Sequence, residues 1–153
     1  MRRSGMAVVV AVLAGLASAP ALAAGEKGTA DEAVAMTRKA VAFLAKEGPD
    51  AAFAAFTGKD ARFTDRDLYV IVYGQDGKCL AHGANPKLVG KDLIENQDTD
   101  GKFYIRERVE LARSKPSFWQ DYKFTNPATK KIEPKSTYCE TAADKIVCVG
   151  IYK

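Results

Sequence analysis

The chain has 153 residues, 47% of them hydrophobic and 27% charged, with 23 basic against 19 acidic side chains and one histidine. A net charge of +4 with no basic stripe interleaved with aromatics excludes the footprint of a nucleic-acid binder. One histidine, with no CxxC, HExxH or GxSxG, excludes the common zinc, haem and hydrolase patterns.

The first residues carry a processing signal. MRRSGM is a short positive stretch, AVVVAVLAGLA an apolar run, and SAPALAA places small residues at the −3 and −1 positions of a cleavage site after Ala23. Residues 1–23 therefore read as a secretory signal peptide. The apolar run is shorter than the roughly 20 residues a spanning helix needs. An uncleaved anchor and a twin-arginine route through Arg2-Arg3 are the alternatives. Cleavage leaves residues 24–153, one exported, periplasmic or secreted domain without a membrane span. That length suffices to bury about two-thirds of the unfolded chain's surface.

Thr29 and Glu32 stand at capping-box spacing ahead of Val34, Val41 and Leu44, which predicts a long helix up to Gly48. Pro49 suits the first turn of a short second helix, PDAAFAAFTG, with Phe53 and Phe56 facing the core and Gly58 at its end. DLYVIVYGQDGKCLAHG predicts a hairpin turning at Asp76-Gly77. GANPKLVGKDL reads as a loop, and Phe103, Ile105, Val109 and Leu111 predict a short helix beyond it. Three more strands follow, with turns at Asn126-Pro127 and Ala143-Asp144. This order predicts an α+β domain, one five-stranded antiparallel sheet with helices at one face.

Two of the three cysteines have a predicted pairing. With Ala143-Asp144 at the centre of a two-residue turn, Cys139 and Cys148 fall opposite one another, close enough to bridge. Three free buried thiols are the alternative, and Ala-Asp is a poor primed-turn sequence. Cys79 and His82 lie three apart on one predicted strand, so alternation is expected to send them to opposite faces, against a Cys–His catalytic or metal pair. No metal, cofactor or catalytic group is expected.

Binding explains more of the polar residues. In SFWQDYKF, alternation places Phe118, Gln120, Tyr122 and Phe124 on one side and Trp119, Asp121 and Lys123 on the other. A small anion in a concave site needs a cation or two, hydroxyl or imidazole donors and aromatic walls. His82, Arg106, Trp119, Tyr122, Lys135 and Tyr138 are those chemical types on elements expected to converge. The alternative is that each is half-buried on a sheet surface or paired with a neighbouring acid.

YVIVYGQDGKCLAHGANPKLVGKDLIENQDTDGKFYIRE, then Trp119-x-x-Tyr122, NPATKKIEPKSTY and the closing VGIY resemble the single Cache domain, type 2, over about residues 29 to 152. The resemblance implies an extracytoplasmic sensor module with a long N-terminal helix packed on a PAS-like five-stranded antiparallel sheet. It implies a small ligand, a short-chain carboxylate such as acetate, propionate, pyruvate or lactate, bound without chemical conversion. His82, Arg106, Trp119, Tyr122, Lys135 and Tyr138 occupy the family's positions, although His82 and Asn85 can instead pin their loop. Nothing is expected to follow the sheet after Tyr152-Lys153, so the resemblance points to a membrane-bound signalling partner. A ligand-free envelope adaptor or scaffold is the second reading. The cysteine pair is not part of the resemblance.

Overall fold

The computed structural model describes residues 26–153; the expected signal peptide lies outside the described residues. Helix α1 spans Ala30–Glu47. Its start is held by the predicted box: the Thr29 hydroxyl accepts from the Glu32 N–H and the Glu32 carboxylate accepts from the Thr29 N–H. Gly48, at φ 83°, ends it in a conformation costly for side-chain-bearing residues, and Pro49 opens α2, Pro49–Thr57.

The strands are β1 Thr64–Asp65, β2 Leu68–Gly74, β3 Cys79–His82, β4 Ser117–Thr125, β5 Ile132–Ala142 and β6 Lys145–Tyr152. Helix α3, Tyr104–Ser114, lies between β3 and β4. All pairings are antiparallel: β2 lies between β3 and β6, and β5 lies between β6 and β4. The sheet has six strands where five were expected. The additional one, β1, is a two-residue pairing with the start of β2, too short for any periodicity to show.

The sheet separates two cores. On one side Leu68, Val70, Val72, Val147 and Val149 pack against Ala33, Ala40, Ala52 and Phe56 of α1 and α2, with Phe63 beneath. On the other, Tyr69, Ile71, Tyr73, Phe118, Tyr122, Cys139, Cys148 and Tyr152 meet Tyr104, Ile105, Val109 and Ala112 of α3. Helices therefore cover both faces, not one.

The last hairpin has the predicted register. Ala142 pairs with Lys145 around Ala143-Asp144, and Cys139 lies opposite Cys148 with a disulfide between them. Ala143 takes φ 55°, a strained value for a residue with a side chain. The β2–β3 hairpin departs from expectation. Its register shifts after Val72, leaving Leu80 as an extra residue, so Cys79 pairs with Tyr73 and His82 with Ile71. The bulge resets the alternation and brings Cys79 and His82 to the same face, contrary to the expected opposition.

Candidate functional site

The face towards α3 contains a buried polar group. Tyr122, Lys135 and Tyr152 form one row across β4, β5 and β6. Gln120, Thr137 and Gly150 form the next. Lys135 is 1% exposed, yet its ammonium crosses β6 to donate to the Tyr69 hydroxyl on β2 at 2.8 Å. Gly150 makes that crossing possible, because a Cβ there would overlap Lys135 Cε and Thr137 Oγ1.

Arg108 enters from α3 and is fully buried. Its Nε donates to Gln120 Oε1 at 3.0 Å, and Gln120 Nε2 donates to the Tyr104 carbonyl at 2.7 Å. The guanidinium lies 5.2 and 5.1 Å from the ring centres of Tyr73 and Tyr122. Both terminal nitrogens are buried without a hydrogen-bond partner. Neither Arg108 nor Lys135 belongs to any ion pair among the described residues.

Burying a cation without a counter-charge costs several kcal/mol. Burial works against the charge on both groups, but phenol oxygens outweigh it: Tyr122 and Tyr73 around Arg108, Tyr122 and Tyr69 around Lys135. Both remain protonated. An unpaired guanidinium fork is shaped to take a carboxylate through two parallel hydrogen bonds.

His82 closes one end, its ring 5.4 Å from that of Tyr69 and 5.8 Å from that of Phe124. Its Nδ1 accepts from the N–H groups of Ala84 and Asn85 at 3.3 and 3.0 Å, so the neutral ring carries its proton on Nε2. Burial, then the charges of Lys135 and Arg108, push its pKa down to about 3. Asn85 caps the 3-10 turn Pro86–Leu88 by accepting from the Lys87 N–H. Both residues thus pin the loop. Burial raises the Cys79 thiol to about 11, which suppresses nucleophilic reactivity at neutral pH.

An outer depression of about 230 Å³ reaches Tyr122 and Lys135 past Asp98, Lys102, Asp121 and Lys123. A wider hollow, about 480 Å³ between α1 and the β5–β6 turn, is lined by six apolar residues, among them Val41, Leu44 and Pro49, and by Asp144 and Lys145, which pair with each other. Among the described residues no cluster of three or more potential metal ligands occurs.

Residues 29–152 match the family model of single Cache domain 2. The chain belongs to this family. No curated protein sequence matches it. Among solved structures, a methyl-accepting chemotaxis protein from Vibrio parahaemolyticus shares the fold at TM-score 0.70 and 21% identity, over 80% of this chain and 86% of that one. A periplasmic sensor domain of a chemotaxis protein aligns at TM-score 0.64 and 25% identity, over 80% and 88%. A Cache chemosensory domain described for its carboxylic acid recognition aligns at TM-score 0.71 and 20% identity, over 80% and 91%. Two of these three structures are named as sensor or chemosensory domains. No helix among the described residues of this Cache domain is long and apolar enough to cross a membrane.

The six residues singled out in the sequence divide by location in the Cache domain. His82, Tyr122 and Lys135 come together in the buried group. Arg106 does not: it lies over the Phe103 ring and pairs with Glu95, partly in solvent. Trp119, 42% exposed, and Tyr138 are packed 5.3 Å apart on the opposite side of the sheet, where the Tyr138 hydroxyl donates to Glu140. Trp119 and Tyr138 each stand three positions from a member of the buried group on their own strand, so strand alternation already carries the division. Arg108 was not singled out. Its signal is its place in the helical stripe Ile105, Arg108, Val109, Ala112, the buried side of α3.

Proposed function

We propose that this Cache domain binds a small carboxylate at the buried Arg108–Lys135 group and serves as an exported sensory or ligand-presenting module without chemical conversion. The observation that carries the reading is the unpartnered fork of Arg108 beside a second buried cation. Arg108 would take the carboxylate, Lys135 would supply the second charge, and the His82 Nε2–H and Tyr122 hydroxyl would orient the remainder. Tyr73, Tyr104 and Phe124 would wall the acyl chain. The carboxylic acid recognition named for one structural relative is consistent with this chemistry.

Size limits affinity. A ligand of about five heavy atoms, at a ceiling near −1.5 kcal/mol per atom, reaches roughly −7.5 kcal/mol, a dissociation constant of a few micromolar at best. Binding between that value and the millimolar range is expected for acetate, propionate, pyruvate or lactate. The membrane receptors among its structural relatives suggest a membrane-bound signalling partner. The test is a thermal-shift screen of two- to four-carbon acids followed by calorimetry, with Arg108→Met and Lys135→Met as controls. Stabilisation by at least one acid, lost in both variants, supports the reading. No shift at tens of millimolar, with a membrane protein co-purifying, would favour the ligand-free adaptor.

A further inference from the structure

Three phenols surround the Lys135 ammonium, and their protons are not equivalent. Tyr152 donates to the Thr125 carbonyl at 2.8 Å, so its oxygen is left to receive the Tyr69 proton across 2.8 Å. Lys135 in turn donates to Tyr69. Each proton of that chain has an acceptor, and ionising Tyr69 or Tyr152 would break it. Tyr122 differs. Its oxygen accepts from Thr137 Oγ1 at 3.4 Å, while its own O–H donates to no group among the described residues. Arg108 and Lys135 stand 5.1 and 5.8 Å from its ring centre.

We propose that in mildly alkaline solution Tyr122 is the buried group's own anion: its phenolate balances the two cations until an entering carboxylate replaces it, and the phenolate then takes up a proton. This rests on the carboxylate reading above. The charges balance. A phenolate with two cations leaves the site at +1, and a carboxylate, two cations and a neutral phenol leave it at +1 again. One carboxylate enters, one O–H bond forms on Tyr122 with a proton from solvent, and the net event is uptake of the neutral acid.

The other groups facing Tyr122 do not supply this proton. Tyr104 of α3 stacks on its ring at 4.8 Å, and Tyr69 and Tyr73 of β2 and Tyr152 of β6 complete the phenols; burial raises all four above the ordinary phenol value. His82 of β3 stays neutral, and Thr137 does not titrate. The charged side chains of the outer depression pair with one another or with Glu107: Lys123 with Asp100, Lys153 with Asp121, Lys102 with Glu107. Asp98 accepts from the backbone of Asp100, Lys102 and Lys123. Burial by itself would raise Tyr122 too, but Lys135 and Arg108 outweigh it and bring its pKa down to about 8.

The test has two arms on the purified chain. First, tyrosinate ultraviolet absorbance is followed against pH without ligand. One phenol titrating with a midpoint about 8, absent from Tyr122→Phe, is expected. Second, acetate, propionate and lactate are titrated calorimetrically at several pH values in buffers of different ionisation enthalpy. Affinity should be flat below the midpoint and fall about tenfold per pH unit above it, with uptake approaching one proton per acid and loss of the tyrosinate signal. If no phenol titrates below the ordinary range, the first arm overturns the proposal whether or not acids bind. A tyrosinate signal that persists with acid bound also overturns it. A phenolate with none of the three acids bound at any pH overturns the exchange and the carboxylate reading together.

Discussion

Strands β2 and β6 send alternate residues into two interiors of different chemistry. Towards α1 and α2 they contribute Leu68, Val70, Val72, Val147 and Val149, packed on alanines and phenylalanines. Towards α3 the same strands contribute Tyr69, Ile71, Tyr73, Gly150 and Tyr152, around two buried cations. The first side follows the rule that buried apolar area stabilises. The second buries charge, which does not. One sheet therefore has an apolar core on one face and, on the other, a core that also holds the buried cations of the proposed site, and each substitution should fail in a way that reveals its face.

The largest effect is expected on the aliphatic side. Phe63 packs edge-on against Phe56 at 4.8 Å and lies 5.0 Å from Phe43, so Phe63→Ala should cost about 3–5 kcal/mol in urea denaturation. Carboxylate affinity of the molecules that remain folded should not change. Arg108→Met should do the reverse. It removes a charge whose Nη1 and Nη2 have no partner but also the Nε–H that Gln120 accepts, two opposed effects, so the unliganded protein should lose far less stability than Phe63→Ala does, while acid binding weakens by about 1.5–3 kcal/mol. A large loss of unliganded stability in Arg108→Met would mean that the arginine is a structural pillar and would merge the two faces into one core.

Neighbouring positions on β6 sharpen the contrast. Gly150→Ala places a methyl group where Lys135 Cε and Thr137 Oγ1 lie, an overpacking expected to cost about 1–3 kcal/mol. Because the lysine must withdraw from Tyr69, acid binding should weaken in parallel, measured by calorimetry on the folded variant.

Most of the architecture was legible because local chemistry agreed with the fold. The Thr29–Glu32 box, the Asp76-Gly77 turn and the symmetric placement of Cys139 and Cys148 each specify a local geometry that the long-range pairing keeps. The strand Phe118-x-Gln120-x-Tyr122-x-Phe124 was legible for the same reason. The bulge at Leu80 was not, since no glycine or proline marks it and only the pairing with β2 reveals it. Arg108 was hidden by its charge: a periodicity read from apolar residues alone passes over an arginine on the buried stripe.

pH separates the faces again, in the folding equilibrium. His82 has a pKa of about 3 in the fold against 6.5 when free, so the unfolded chain binds its proton first. Its contribution is complete above pH 6.5 and is lost as pH falls towards 3, by up to about 1.4 kcal/mol per pH unit. It is the chain's only histidine, so the interval from 6.5 down to the carboxylate range near 4.5 reports this side chain. Denaturation midpoints across that interval should slope in the native protein and flatten in His82→Gln. A slope that survives the substitution would place its origin outside the pocket.

The smallest effects should fall on residues of the right chemistry in the wrong place. Arg106 is a cation with a partner, Glu95, and a ring, Phe103, at the protein surface, where an exposed pair contributes about 0–1 kcal/mol. Trp119 is 42% exposed on the side of β4 turned away from α3. Arg106→Ala and Trp119→Ala should therefore leave the dissociation constant for any bound acid within about twofold, less than 0.5 kcal/mol. Arg106 and Arg108 are two positions apart on one helix, roughly 200° around its axis, so measuring both variants compares the same side chain buried and exposed. Equal losses of binding at the two positions would show that charge on α3 matters and its burial does not.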